Sequence, residues 1–238
     1  MEFTTEILIS LLTLTFLEIV LGIDNIVFIS IVGSRLPVEQ QKKVRIIGLT
    51  LALVGRILLL LAIEWIIGLT KPIFTINEFA FSFRDLILIV GGMFLIAKST
   101  SEMHKKFEVS KAEEKKNLRK HTLRSALIQI LLLDLVFSLD SIITAVGLVD
   151  QVYIIVIAIV ISMGVMLIFS KAISDFINDH PTMKLLAIAF LLMIGTVLVI
   201  EGLHVHVPKG YIYFSMAFAL GIELLNMRLR KIPKKPKA

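Results

Sequence analysis

Two short stretches carry acids where an apolar helix should have none. Residues 17–28 read Leu-Glu-Ile-Val-Leu-Gly-Ile-Asp-Asn-Ile-Val-Phe, and residues 133–144 read Leu-Asp-Leu-Val-Phe-Ser-Leu-Asp-Ser-Ile-Ile-Thr. Four of the twelve positions are identical, and the polar ones match in kind: Glu18 with Asp134, Gly22 with Ser138, Asp24 with Asp140, Asn25 with Ser141. Carboxylates within apolar runs cost several kcal/mol in a bilayer unless paired, hydrated or protonated, so their default reading is a functional site. Four carboxylates with amide and hydroxyl oxygens form a hard ligand set, suited to Mg²⁺, Ca²⁺ or Mn²⁺ rather than to soft metals. Four acids also exceed the charge of one divalent ion. Protons can therefore replace the metal as it leaves, which opens a route to ion/proton exchange.

The elements that must position these acids are membrane helices. Of 238 residues, 57% are hydrophobic and 18% charged, and none is cysteine; the mean hydropathy is +0.90. A water-soluble domain is excluded on composition. So are disulfides, thiolate metal sites and cysteine nucleophiles. Seven apolar runs, at about 7–32, 45–68, 84–101, 124–148, 152–173, 184–202 and 211–227, predict an all-α polytopic protein. Glu18 and Asp134 fall near the middle of the first and fourth spans. At 100° per residue, Glu18, Gly22 and Asn25 share one stripe, as do Asp134, Ser138 and Ser141. Asp24 and Asp140 point about 120° away from the leading acids. Convergence of all four predicts that both helices loosen at the motifs, freeing backbone carbonyls as further ligands.

Basic residues set the orientation. With the N-terminus outside, 21 of the 25 Lys and Arg fall in inner segments and three in outer ones, Arg56 lying inside the second span. No cleaved signal peptide is expected, because the first apolar run lacks a basic leader and a small-residue cleavage site. The net charge of +6 is thus a topology signal and a lipid contact, and no nucleic-acid partner is expected.

The two acidic stretches extend into a weak internal repeat. Leu53-Val54-Gly55 resembles Ser162-Met163-Gly164, and Phe94 through Glu102 resembles Met193 through Glu201. Spans one to three then pair with spans four to six. Three is odd, so the second copy crosses the bilayer in the opposite sense, an arrangement that places sites at the repeat interface. The expected organisation is repeat 1 over 1–100, a charged cytoplasmic linker over 101–123, repeat 2 over 124–203, a seventh helix over 204–227 and a basic tail over 228–238.

Glu-x-x-Leu-Gly-x-Asp-Asn at 18–25 and Asp-x-x-Phe-Ser-x-Asp-Ser at 134–141 resemble the TerC family of integral membrane proteins. Gly91-Gly92 and the closing Gly221-Ile222-Glu223-Leu224-Leu225-Asn226 fit the same family, and the likeness covers nearly the whole chain. The resemblance implies a seven-helix inverted-repeat fold related to the LysE-type exporters, and export of a metal ion, manganese above all, across the bacterial cytoplasmic (inner) membrane. Tellurite, from which the family takes its name, is not carried over as a substrate. The resemblance implies Asp24, Asn25, Asp140 and Ser141 as ion ligands, with Glu18 and Asp134 as ligands or proton carriers. Larger relatives add cytoplasmic CBS domains, for which this chain is too short.

Other polar residues have competing readings. Arg56 and Glu64, eight residues apart on roughly one face, are expected to form a buried ion pair fixing the second span; alternatively Arg56 is a gate or counter-charge to the acids. Lys98 is read as snorkelling to the inner interface, or as a gate. Glu201, His204 and His206 lie at the outer end of span six, where a metal-collecting role competes with an ordinary exposed loop. No enzyme and no prosthetic group are expected; the metal is cargo. An intramembrane diaspartyl hydrolase built on Asp24 and Asp140 lacks the flanking Gly-x-Gly-Asp pattern. A non-transporting partner that assists metalation or insertion of other envelope proteins is the alternative function. The acids themselves have a plain alternative, an interhelical clamp in which protonated carboxyls hydrogen-bond to Asn25 and Ser141. Oligomeric state is not legible.

Overall fold

The computed structural model describes residues 5–76, 79–108, 122–149 and 151–230. Its elements are α1 (Thr5–Gly33), α2 (Val38–Leu61), α3 (Ile63–Gly68), β1 (Pro72–Ile76), β2 (Phe79–Ser82), α4 (Phe83–Glu108), α5 (Leu123–Leu148), α6 (Val152–Asp179), α7 (Pro181–Gly202) and α8 (Lys209–Arg230). All but α3 among the helices are long and apolar enough to cross a bilayer, which makes seven spans. The fold is all-α and polytopic, as its composition predicts.

Local chemistry sets the boundaries. Pro37, with φ −51° and ψ 144°, precedes the first turn of α2 and fixes its start at Val38, because proline at a helix entrance has no N–H to lose. The second span therefore runs seven residues earlier than the apolar run at 45–68 suggests. It ends at Leu61, where Ala62 leaves the helical region and a separate short helix begins. Span three extends well past residue 101, to Glu108, so the first residues of the expected 101–123 linker continue α4. The remainder, 109–121, lies outside the described residues, as does most of the tail from 231. Thr122 caps α5, its hydroxyl accepting from the Ser125 N–H at 3.2 Å. Ser82 and Asp85 cap α4 reciprocally. The Ser82 N–H and hydroxyl donate to Asp85 Oδ2 at 2.8 and 2.6 Å, and the Asp85 N–H donates back to Ser82 Oγ at 3.2 Å.

One feature was absent from the expectations: residues 72–76 and 79–82 form a two-stranded antiparallel hairpin, with Ile76 opposite Phe79 and Pro72 opposite Ser82. Its Phe74 and Phe81 rings stack 5.5 Å apart. We call the end of the bundle bearing it the hairpin face. The other end, where Arg35, Lys98 and Lys184 gather, is the basic face.

Three helix pairs make the principal contacts: α1 with α6, α2 with α5, and α4 with α7. Ile26, Phe28, Leu49, Ile130, Ile155 and Met163 belong to the continuous apolar core between them. The α4–α7 contact is the closest. A Cβ on Gly92 would lie 2.6 Å from the Gly195 carbonyl oxygen, and one on Gly195 would lie 2.9 Å from that of Gly92. Only glycine allows such an approach of two backbones. Helix α8 is peripheral, with no buried residue in its apolar stretch.

Candidate functional site

The leading acids of both stretches meet in the interior of the bundle, with a cation between them. Helices α1 and α5 bring Glu18 and Asp134 inward, and α2 supplies Arg56; all three are almost wholly buried, Arg56 at 1% exposure. The guanidinium Nη1 donates to Glu18 Oε2 at 2.5 Å, while Nη2 and Nε approach Asp134 Oδ1 at 3.2 and 3.4 Å. Asn25 Nδ2 donates to the same Asp134 oxygen at 2.9 Å, and the Ser138 hydroxyl donates to Oδ2 at 3.3 Å. One arginine thus spans two carboxylates on two different helices. A guanidinium does not deprotonate in a protein and its fork matches carboxylates, so Arg56 keeps its positive charge between the two acids. Such a triad is costly to desolvate and is tolerated because each charge is paired and hydrogen-bonded.

Sequence spacing pairs Arg56 with Glu64, whose side chain lies outside the described residues. Among the described residues, Arg56 meets Glu18 and Asp134, and the backbone of Glu64 belongs to α3, beyond the break at Ala62. A correction concerns the backbone. Both α1 and α5 run as unbroken α-helix through Gly22–Asn25 and Ser138–Ser141, so no loosening is seen at the motifs. Continuous helices keep Glu18 and Asn25, and Asp134 and Ser138, on shared stripes, which is why these residues cluster.

Of the expected ion ligands, Glu18, Asn25 and Asp134 are brought together. The Ser141 hydroxyl donates to the Ser138 carbonyl of its own helix at 3.3 Å and lines a cavity of about 70 Å³ beside Arg56. The side chains of Asp24, Asp140 and Glu64 lie outside the described residues. Among the described residues, no three His, Asp or Glu side chains form a metal-binding group. Gly22 packs against Met166 of α6, whose sulfur occupies the space a Cβ would need.

Lys98 is distant from this site. It stands 3.9 Å from Glu102 on the next turn of α4, and Glu102 also pairs with Arg35 at the end of α1. Nearby, Lys184 Nζ donates to Ser34 Oγ at 2.9 Å and the Ser174 hydroxyl donates to Ser30 Oγ at 3.0 Å, tying α7 and α6 to α1. Apart from the Lys98–Glu102 pair on adjacent turns, these contacts were not legible beforehand, because their partners are 67 to 150 residues apart.

At the hairpin face, His204 Nε2 lies 3.5 Å from Asp85 Oδ2, and its ring meets Phe81 edge-on at 5.4 Å. A cavity of about 430 Å³ is bounded there by Arg84, Asp85, Thr144, Glu201, His204 and His206. The polar end of span six thus contributes to the wall of this cavity, and both histidines are exposed.

Comparison with known proteins gives a consistent result. Residues 3–238 match the model of the integral membrane protein TerC family. A UPF0053 protein of Haemophilus influenzae is 49% identical over 229 residues, covering 96% of this chain and 97% of its own length. The UPF0053 inner membrane protein YgdQ of Escherichia coli is 49% identical over 93% of both chains. A longer relative, the UPF0053 inner membrane protein YoaE of Escherichia coli, is 48% identical, and the match covers 43% of it. No solved structure is significantly similar. With its seven spans, its paired acidic motifs and a match over nearly its whole length, the chain belongs to the TerC family of integral membrane proteins.

Proposed function

We propose that this protein is a secondary transporter that exports a divalent cation, Mn²⁺ before Mg²⁺ or Ca²⁺, through the acidic site between α1 and α5. The observation that carries this reading is the buried Glu18–Arg56–Asp134 triad with Asn25, drawn from both halves of the chain. Two carboxylates around one fixed cation leave a surplus negative charge, and Asp24 and Asp140 supply the remaining acids from the same two helices. Oxygen ligands of this kind suit hard divalent cations; the family resemblance adds the preference for manganese. Arg56 then acts as the counter-charge that holds the acids when metal is absent, and proton exchange is the coupling to be tested.

The packing supports an inverted repeat. Counting α1, α2 and α4 as one half and α5, α6 and α7 as the other, the contacts join first to second, second to first, and third to third. Exchanging the halves leaves that pattern unchanged, as a pseudo-two-fold axis requires. The distribution of Lys and Arg supports a hairpin face outside and a basic face in the cytoplasm. The names of the Escherichia coli relatives support an inner-membrane location. On this reading the chain has no catalytic residues.

The test is Mn²⁺ flux in proteoliposomes carrying an internal pH dye, with wild type beside Asp24→Asn and Asp134→Asn. The wild type is expected to move Mn²⁺, each variant to lose about 100-fold as a ligand is neutralised, and protons to move opposite to metal. No flux from folded wild type under either a pH gradient or a membrane potential overturns export. The acids would then be a structural clamp, and the protein a membrane partner in metalation or insertion.

A further inference from the structure

We infer that Glu201 is a transit ligand, the carboxylate that passes the cation between the interior site and the hairpin face; the inference rests on the export reading above. Two cavities lead away from Arg56 toward that face. The inner one, about 70 Å³, is lined by Arg56, Phe137, Ser141, Leu198, Glu201 and Tyr213 among others. The outer one, about 430 Å³, has Asp85, Thr144, Glu201, His204 and His206 in its wall. Among the described residues, Glu201 is the residue common to both linings, so it stands at their junction. In the opposite direction the described space is narrower. Toward the basic face, the cavity next to Asp134 and Asn25 is only about 10 Å³, walled by Phe28, Ile29, Ile130 and Leu133. That is about the volume of a single water probe, whereas the inner hairpin-side cavity holds several waters. Among the described residues, the wider polar space beside Arg56 therefore leads past Glu201.

The backbone around Glu201 is arranged for this position. Helix α7 ends in a paired C-terminal turn, in which the His204 N–H donates to the Glu201 carbonyl at 3.0 Å and the Val205 N–H to that of Ile200 at 3.1 Å. The turn places His204 at φ 65°, a left-handed conformation that glycine usually fills and a histidine adopts at a cost. In return the imidazole reaches Asp85, whose other contacts to Ser82 hold it in place, and the rim of the outer cavity is imidazole and carboxylate rather than bare backbone. Among the described residues, no three such side chains close into a ligand set. A cation in this cavity therefore keeps much of its water and exchanges part of it for one carboxylate at a time, as passage requires and retention does not.

The absence of native cysteine makes the test direct. A Glu201→Cys protein in right-side-out vesicles is treated with membrane-impermeant thiol reagents, cationic and anionic, with and without Mn²⁺. The thiol is expected to react from the hairpin face and faster with the cationic reagent, and Mn²⁺ is expected to slow the reaction. An Ile130→Cys thiol, walled into the small basic-side cavity, is expected to stay unreacted. In flux measurements, Glu201→Gln should lower Mn²⁺ transport about tenfold, the scale of one lost contact to a charged group, and Glu201→Asp should restore most of it. A Glu201→Cys thiol that does not react, or reacts equally with and without Mn²⁺, while wild type exports Mn²⁺, removes Glu201 from the route and leaves export standing. Unchanged flux in a folded Glu201→Gln protein does the same. Absence of wild-type export overturns both readings.

Discussion

Two buried ionic clusters bind this bundle together, and they are balanced in opposite senses. In the interior, Glu18 and Asp134 flank one guanidinium, Arg56. At the basic face, Arg35 and Lys98 flank one carboxylate, Glu102. Among the described contacts, two acids thus share one cation in the first cluster and two cations share one acid in the second. The solvation differs as well. The Arg56 side chain is 2% exposed, whereas Arg35 and Lys98 are 13% and 19% exposed, so the rim cations keep some water and the interior one keeps almost none. Pairing joins helices in both places, and it is the interior pairing on which the proposed export rests.

That contrast can be broken most sharply at Arg56. Arg56→Ala leaves two desolvated carboxylates sharing a site without a cation, and it is expected to cost about 3–5 kcal/mol of stability. The readout is thermal unfolding in detergent, and an unchanged midpoint would mean the interior contact is not an ion pair that matters. Glu102→Gln probes the other cluster, where two partly hydrated cations lose their acid. A smaller loss of about 1–2 kcal/mol is expected, together with a weaker dependence of the unfolding midpoint on salt than in wild type, because rim charges are screened and interior ones are not. A Glu102→Gln loss equal to that of Arg56→Ala would erase the distinction between rim and interior. Ser174→Ala removes only a neutral hydrogen bond to Ser30 between α6 and α1. Its expected cost is about 0.6 kcal/mol, the usual scale of such bonds between membrane helices. A larger loss would show that neutral pairs rival charged ones here.

How much of this was readable from the chain follows from distance along it. The spans and the paired acidic stretches are local patterns, and hydropathy with residue periodicity exposed both. The shared stripe of Glu18 with Asn25 and of Asp134 with Ser138 also held, because it needs only a regular helix. The acids that Arg56 meets could not be found this way, because they lie 38 and 78 residues away on other helices. The expected loosening at the motifs failed for a related reason. It was required only if one helix had to aim all its acids at one point, whereas Arg56 reaches in from a third helix and satisfies the leading acids without bending either. The hairpin strands at 72–76 and 79–82 were hidden by their shortness, five residues against four between two spans.

The contact of Gly92 with Gly195 has a mechanical consequence. Side chains at an interface can change rotamer and let two helices slide; a junction of backbone against backbone offers no such play. On the proposed export reading, helices α4 and α7 would be the fulcrum, one element from each proposed half held against the other, about which the remaining pairs would pivot as bodies. Movement that opens one end of the bundle has to be taken up between the α1–α6 and α2–α5 pairs, across the very seam that Arg56 stitches. In a lever of this kind the strength of the stitch and the ease of the swing are set by the same three side chains.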